Sequence, residues 1–235
     1  MERSLSVSFL RNRVIMPELL DRASPTDATR TLADLMRLNT QFGGHKILRN
    51  LLARLVRLQE DFTMLDVGAA SGDTSHIVRE LYPSARVINL DRHEFNLRGA
   101  PHPKMLADAF LLPFSDHSLD VVHCSLVLHH FVDDDVIRIF SELRRVARRA
   151  VLVSDLERHI VGYWFLSLSK FIYKWHWMTI YDGKLSVRAA FTVKEMQDLA
   201  HRAGFREAIV ERHKRNYRIS LIAFVDAYES ARTLN

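Results

Sequence analysis

The central part of the chain alternates short apolar segments with longer amphipathic ones. Short segments rich in β-branched residues predict strands at roughly 62–67, 86–90, 104–107, 119–125 and 150–154. The stretches between them have helical spacing, as in the segment that follows Asp133. Short, nearly continuous apolar strands separated by helices are typical of a parallel sheet covered on both faces. The pattern therefore predicts an α/β fold.

Two amphipathic helices are expected before the first strand. Thr26 or Asp27 can cap the first of them, and Gly43-Gly44 is expected to end it, because glycine is favoured just beyond a helix C-terminus. The second carries an apolar stripe from Ile47 to Leu55. Such a pair can cover one end of a sheet or close over a bound ligand.

The alternation is interrupted at about 156–191. The apolar residues there fall on one helical stripe, with Ser167, Lys170 and Lys174 opposite: Trp164, Leu168, Phe171, Ile172 and Trp175. The stripe fits three interpretations, which are a lid over a lipophilic substrate, ordinary core packing, or a helix at a membrane surface.

After this insertion the sequence predicts a helix and a hairpin. Thr192 is expected to cap the helix and Gly204 to end it. Two final strands at about 205–212 and 217–226 are predicted to pair antiparallel at the sheet edge. We therefore expect a helical cap at 1–60 and one main domain at 61–235, with an inserted lid at 156–191.

Composition narrows the function classes. The 235 residues suffice for one domain with an extra element, and their formal charge is +5 with a pI near 9.5. A basic balance suits nucleic acid, anionic membranes or acidic substrates, but these charges are scattered, so nucleic-acid binding is not favoured. The sole cysteine, Cys124, excludes an internal disulfide and a cysteine metal cage.

The cellular location is predicted from the absence of a signal peptide pattern and of a membrane-spanning segment. Met1 to Arg11 does not have the pattern of a secretory signal. No apolar run reaches the ~18 residues of a spanning helix. We expect a cytoplasmic protein that can touch a membrane surface, as a monomer or a homodimer.

The first strand leads into a turn of small residues. The chain breaks at Gly68 and passes through small residues to Gly72, after which helical spacing begins. Strand, glycine turn and helix together bring backbone N–H groups to a nucleotide-like ligand. This unit alone is a weak signal, because nicotinamide and flavin nucleotides use it as well.

Two carboxylates follow at the ends of the next strands. Asp91 ends the second strand, where a carboxylate can accept hydrogen bonds from both ribose hydroxyls of an adenosine. Asp108 follows the third strand, where a carboxylate can accept from an adenine amino group, with Phe110 or Leu111 against the ring. The sequence thus points to an adenosine-containing ligand.

Taken in order, these motifs resemble the class I S-adenosylmethionine-dependent methyltransferases, especially the branch with quinone-biosynthesis and other small-molecule enzymes. The resemblance covers about residues 60–155. It rests on Leu65-Asp66-Val67-Gly68-Ala69-Ala70-Ser71-Gly72, Asp91, Asp108-Ala109, Leu112-Pro113-Phe114, Leu119-Asp120-Val121-Val122 and Ser125-Leu126-Val127-Leu128-His129-His130-Phe131. It implies a Rossmann-like, seven-stranded, mostly parallel sheet with a C-terminal antiparallel hairpin, and S-adenosylmethionine as methyl donor.

The resemblance also implies a set of cofactor-binding residues. Asp66 would orient the methionine end, the turn would line it, Asp91 would hold the ribose and Asp108 would meet the adenine. The full expected set is Asp66, Gly68, Ala69, Ala70, Gly72, Asp91, Arg92, Asp108, Ala109, Phe110, Ser125 and Leu126. Ala70 replaces the family's middle glycine, which is tolerable if its φ stays negative but narrows the approach.

His129 and His130 follow the fourth strand, where the methyl group should point. Either is a candidate base for a phenol or enol acceptor. The alternative is that the pair only bonds backbone or shapes the pocket. We expect the two adjacent side chains to point apart and to lack metal-ligand spacing, so no metal site is predicted.

Substrate-binding residues are predicted in the insertion. They are His159, Trp164, Phe171, Trp175 and His176. The predicted function is methyl transfer from S-adenosylmethionine to a hydroxyl, or alternatively a carbon, of a lipophilic small molecule of aromatic or polyketide type. The rivals are an RNA methyltransferase, based on the basic segment Lys214 to Arg218, and a catalytically silent cofactor-binding subunit that supports a partner enzyme.

Overall fold

A computed structural model describes residues 10–225. Within them the chain forms one seven-stranded sheet in the order β3-β2-β1-β4-β5-β7-β6. The strands are β1 Thr63–Val67, β2 Arg86–Asp91, β3 Lys104–Leu106, β4 Leu119–Ser125, β5 Ala147–Leu156, β6 Ala208–His213 and β7 Arg218–Phe224. β7 alone runs opposite to the other six strands, so it pairs antiparallel with both β5 and β6. This confirms the predicted Rossmann-like sheet with its C-terminal hairpin.

Helices cover both faces of this sheet. They are α1 Pro25–Gln41, α2 Gly44–Leu52, α3 Asp73–Leu81, α4 Asp133–Val146, α5 Ile160–Tyr173, α6 Trp177–Ala189 and α7 Val193–Arg202. One apolar cluster joins α2 and α3 to the sheet, and a second joins α4 and α7 to it. The continuous apolar character of the strands follows from this double cover.

Helix starts differ in detail from the sequence predictions. Ser24 caps α1, not Thr26 or Asp27, since its Oγ accepts from the backbone N–H of Asp27 at 3.2 Å. Proline at position 25 takes the first helical position, where its missing N–H costs nothing. The predicted cap at Thr192 is confirmed as a reciprocal capping box with Glu195.

The order of the strands places a crevice beside β1. From β1 the chain moves outward to β2 and β3 on one side, and then returns to β4 and β5 on the other. Loops at the carboxyl ends of β1 and β4 therefore diverge, which is where open α/β sheets bind ligands. The predicted ranges that include 1–9 or 226–235 extend beyond the described residues.

Candidate active site at the carboxyl ends of the strands

A cavity of about 380 Å³ lies at this edge of the sheet. Its floor is formed by residues that follow β1, β2, β3 and β4, and its roof by α1, α5, α6 and part of the segment before α1. The floor includes Gly68, Ala70, Asp91, Arg92, Asp108, Ala109, Leu126, His129 and His130. Seven predicted cofactor residues and both predicted histidines thus share one cavity.

The turn after β1 requires the backbone that its sequence provides. Gly68 has a φ of 73°, and a Cβ there would overlap Cγ2 of Val127, so no side chain fits. Ala70 also has a positive φ, of 44°. The condition named for tolerating alanine here, a negative φ, is therefore not met; the N–H of Ala70 donates to Oδ2 of Asp91 at 3.1 Å, which holds the turn against β2.

Asp91 and Asp108 are anchored where the sequence placed them. Oδ1 of Asp91 accepts from the N–H of His93 at 2.9 Å, and Oδ1 of Asp108 accepts from the N–H of Phe110 at 3.0 Å. Each carboxylate oxygen carries two lone pairs, so both groups keep acceptor capacity toward the cavity that they line.

Five of the predicted cofactor residues lie outside the cavity lining: Asp66, Ala69, Gly72, Phe110 and Ser125. Asp66 is buried within β1, and its Oδ1 lies 2.7 Å from Nδ1 of His123 on the neighbouring strand β4. Burial raises the pKa of Asp66 despite this contact. Phe110 packs edge-to-face on Phe131, with ring centroids 5.4 Å apart.

His129 and His130 do not point apart, which corrects the sequence expectation. Their ring centroids are 4.3 Å apart. Nε2 of His129 lies 3.9 Å and Nδ1 of His130 lies 3.8 Å from Oε1 of Glu18. On its other side His129 bonds Oδ1 of Asp155 through Nδ1 at 2.6 Å. Glu18 is itself bonded by the hydroxyl of Ser186.

These contacts separate the proton affinities of the two rings. Burial disfavours the imidazolium of His129, but Asp155 and Glu18 outweigh it and raise the pKa of His129 to about 10. Burial together with the neighbouring His129 cation lowers the pKa of His130. For Glu18 and Asp155 burial acts to raise the pKa, yet the histidine contacts lower it. At neutral pH, His129 is charged and His130 is neutral.

The same three groups lie near enough to one another to raise the question of a metal. The donor atoms of Glu18, His129 and His130 fall within 4.8 Å of one another. The spacings of 3.8 and 3.9 Å to Glu18 exceed the roughly 3.3 Å edge of a tetrahedral zinc site. Proton sharing with Asp155 and Glu18 accounts for the arrangement, and the absence of a metal stays a prediction.

Sequence reasoning missed Glu18, Asp155 and Asp182. Glu18 belongs to a segment before α1 that is fixed by Asp182 of α6, whose carboxylate accepts from the N–H groups of Leu19 and Leu20 at 2.9 and 3.0 Å. Nothing local in the sequence marks that contact. Asp155 did leave a signal, because it is an acidic residue at the carboxyl end of an apolar strand beside β4.

None of the predicted substrate residues is among those that line the cavity: His159, Trp164, Phe171, Trp175 and His176. His159 caps α5 and stacks on Tyr217 with centroids 4.9 Å apart. Trp175 is buried, while Phe171 is exposed. His176 lies 3.3 Å from Asp27. The opposite face of α5, with Gly162, Phe165 and Leu166, lines the cavity instead.

Residues 65–153 match a family model described as a methyltransferase domain. This part of the chain is a methyltransferase domain. The family resemblance drawn from the motifs is thereby confirmed, together with S-adenosylmethionine as the cofactor of this domain class. The match ends just before Asp155, so the insertion and hairpin lie outside it.

Relatives of this methyltransferase domain agree with the assignment. A ubiquinone/menaquinone biosynthesis C-methyltransferase of Burkholderia multivorans is 29% identical over 134 residues, which cover 53% of this chain and 54% of the relative. The chain therefore spans about half the length of the curated relatives that it matches.

Solved structures share the fold at low sequence identity. Human N-acetylserotonin methyltransferase in complex with SAM superposes with a TM-score of 0.62 at 17% identity, over 94% of this chain and 64% of that one. Magnesium protoporphyrin IX methyltransferase of Synechocystis with bound SAH gives 0.54 at 18% identity, over 78% and 84%. Among residues 10–225, no helix combines the length and hydropathy needed to cross a membrane.

Proposed function

We propose that this chain transfers the methyl group of S-adenosylmethionine to a hydroxyl oxygen, or alternatively a ring carbon, of a lipophilic small molecule. The observation that carries the proposal is a single cavity in which a glycine turn and two strand-end carboxylates face an imidazole pair and an apolar roof.

The floor of the cavity fits the cofactor. Gly68 and Ala70 present bare or nearly bare backbone, and Asp91 and Asp108 present carboxylate oxygens at separate strand ends. A carboxylate after the second strand suits ribose hydroxyls, and small residues in the turn allow close approach. When bound, S-adenosylmethionine supplies an electrophilic methyl group.

The roof of the cavity fits a lipophilic acceptor. Its lining from the helices is mainly aliphatic and aromatic and includes Leu32, Leu35, Leu38, Phe42, Phe165, Leu166 and Val187. The polar part of the lining includes Glu18, His129 and His130, which lie together, and also Thr31 and Thr179 of the helices. An apolar pocket with a few convergent polar groups is the usual form of a small-molecule site, and here it would orient the reacting hydroxyl toward the histidines.

His130 is the better base of the pair. It is neutral at neutral pH because its pKa is lowered, its side chain is 34% exposed, and it lines the cavity. His129 is already protonated and held by Asp155. We assign His130 to take the proton from the acceptor hydroxyl and His129 to hold Glu18 and His130 in place. These different roles follow because the pKa values of the two histidines are shifted in opposite directions.

The proposal is tested with S-adenosylmethionine carrying a labelled methyl group and a panel of hydrophobic phenols and quinols. We expect label in the organic extract, and magnetic resonance of the product distinguishes a methoxyl from a ring methyl. The His129→Ala, His130→Ala double variant should lose turnover by about 10²-fold or more, whereas His76→Ala, an exposed histidine on α3, should keep it. Full turnover in the double variant would contradict the proposed role of the histidines as acid and base. If the labelled methyl group appears only in total RNA, the acceptor is RNA and not a lipophilic small molecule.

A further inference from the structure

The outer face of α5 exposes large apolar side chains. Phe171 is 81% exposed, Ile172 77% and Leu168 74%. Val161 and Trp164 continue the same helix surface, and Trp177 and Tyr181 of α6 lie exposed near it. A cluster of this kind is unusual on the surface of a domain that has no partner there, and it marks an interaction surface.

The charges around this face have one sign. Residues 160–189 contain Lys170, Lys174, Lys184 and Arg188 but only one acidic residue, Asp182, which is buried against the segment before α1. Lys170 lies over the ring of Phe171 at 4.8 Å, and Lys184 lies over Trp164 at 4.8 Å. The lysines therefore border the apolar face, and no exposed carboxylate of the insertion offsets them.

The length of the helix limits how it can meet a bilayer. With 14 residues, α5 is about 21 Å long, which is shorter than the hydrocarbon core. An apolar face bordered by lysines, with tryptophan and tyrosine at its margins, is instead the pattern of a helix that lies in the membrane interface.

We propose that the outer face of α5 docks on an anionic lipid bilayer. Leu168, Phe171 and Ile172 enter the boundary between headgroups and acyl chains, while the ammonium groups of Lys170, Lys174 and Lys184 contact lipid phosphates. The uniform positive charge favours this occupant over a second copy of the same basic face. Phe165 lines the cavity and also a groove on the outer side of α5 that includes Val161, Trp164 and Leu168, so only α5 would separate the bilayer from the cavity. The docking does not depend on methyl transfer.

Cosedimentation of the full chain with vesicles tests the docking. Vesicles of phosphatidylcholine and phosphatidylglycerol in equal parts are compared with vesicles of phosphatidylcholine alone. We expect binding at least tenfold stronger to the anionic vesicles, and weaker in high salt. The Phe171→Ser, Ile172→Ser variant should bind at least tenfold more weakly, because two large apolar side chains are removed from the interface.

Matched variants distinguish the effect of net charge on vesicle binding from the effect of where on the surface the charge lies. Lys170→Glu, Lys174→Glu should lower binding by more than about fivefold per position, while Lys46→Glu, Lys194→Glu, with the same change in net charge at exposed sites elsewhere, should have a much smaller effect. Leu58→Ser, Ile209→Ser is the apolar control, since both residues are exposed away from α5. Circular dichroism of each variant checks that the fold is kept.

The proposal is overturned if the wild-type chain stays in solution with both vesicle types, or if the control pairs lower binding as much as the α5 pairs. It is also overturned if light scattering shows a dimer that Phe171→Ser, Ile172→Ser dissociates while no vesicle is bound. That outcome would make the face a contact between two copies.

Discussion

His129 and His130 are consecutive in the chain, but different groups surround them. Asp155 bonds the first at 2.6 Å, whereas the nearest carboxylate to the second, Glu18, is 3.8 Å away. The proton is therefore held on His129, and its charge helps to keep His130 neutral. The sequence identified the pair, but it could not assign the roles, because Glu18 and Asp155 come from distant segments.

The pH dependence of turnover distinguishes the two histidines. If His130 is the base, kcat/KM should fall only on the acid side, below the ordinary histidine pKa of 6.5, because the shift of its pKa is downward. His130→Ala should lower kcat by about 10²–10³-fold and remove that acid limb. A rate that instead climbs as pH approaches 10 would assign the base to His129.

The charged state of His129 also predicts a pH-dependent stability. Its pKa is raised from 6.5 to about 10 in the folded chain, so its contribution is fully present below pH 6.5 and is lost as pH rises toward 10. His129→Gln should lower the free energy of unfolding by roughly 3 to 5 kcal/mol at pH 6. Denaturation by urea at several pH values should show this penalty shrinking by pH 9.5.

His76→Gln is the control for that experiment, and it should leave the free energy of unfolding nearly unchanged at every pH. A His129→Gln penalty that stays constant, or grows, between pH 6 and 9.5 would contradict a buried imidazolium at this position.

At the scale of elements, the sequence predicted most of what sets the sheet. The segments predicted from periodicity match all seven strands within a few residues, because most of the strands are short apolar runs bounded by turn residues. On α5 the substrate residues were predicted on the Trp164 stripe, whereas the cavity is lined by the face with Gly162, Phe165 and Leu166. The Trp164 stripe is more apolar than the inner face with Gly162 and Phe165, and periodicity alone does not tell a buried apolar face from an exposed one.

The segment that carries Glu18 depends on one side chain of α6. Asp182→Asn replaces one of the two acceptor oxygens with an NH2 group that only donates, so the pairing of Leu19 with Oδ1 and of Leu20 with Oδ2 is lost. Exchange of those two amide hydrogens should accelerate about tenfold or more, and KM for the acceptor should rise. Asp198→Asn, at an exposed position of α7, is the control. Unchanged exchange at Leu19 and Leu20 would contradict this anchoring.

At the scale of the whole molecule, the helices before β1 are tied to the turn that follows it. Asp73, at the start of α3, bonds Asn39 of α1 at 3.1 Å and His45 of α2 at 2.9 Å. Arg218 of β7 donates to the same Asn39 at 2.9 Å. Of these two helices, α1 lines the cavity through Thr31, Leu32, Leu35 and Leu38, whereas α2 packs against the sheet. The sequence left two roles open for the pair, covering one end of the sheet or closing over a ligand, and the division into a cap at 1–60 and a main domain stays a prediction.

Cofactor binding at Asp91 is the central claim, and calorimetric titration with S-adenosylhomocysteine tests it most directly. Asp91→Asn removes the charge but keeps an acceptor, so affinity should fall by about 10- to 100-fold if the ribose hydroxyls are held there. Asp61→Asn, an exposed position just before β1, should bind like the wild type. Asp91→Asn with wild-type affinity would contradict the ribose site, and a wild-type chain that binds neither S-adenosylhomocysteine nor S-adenosylmethionine would contradict the proposed function.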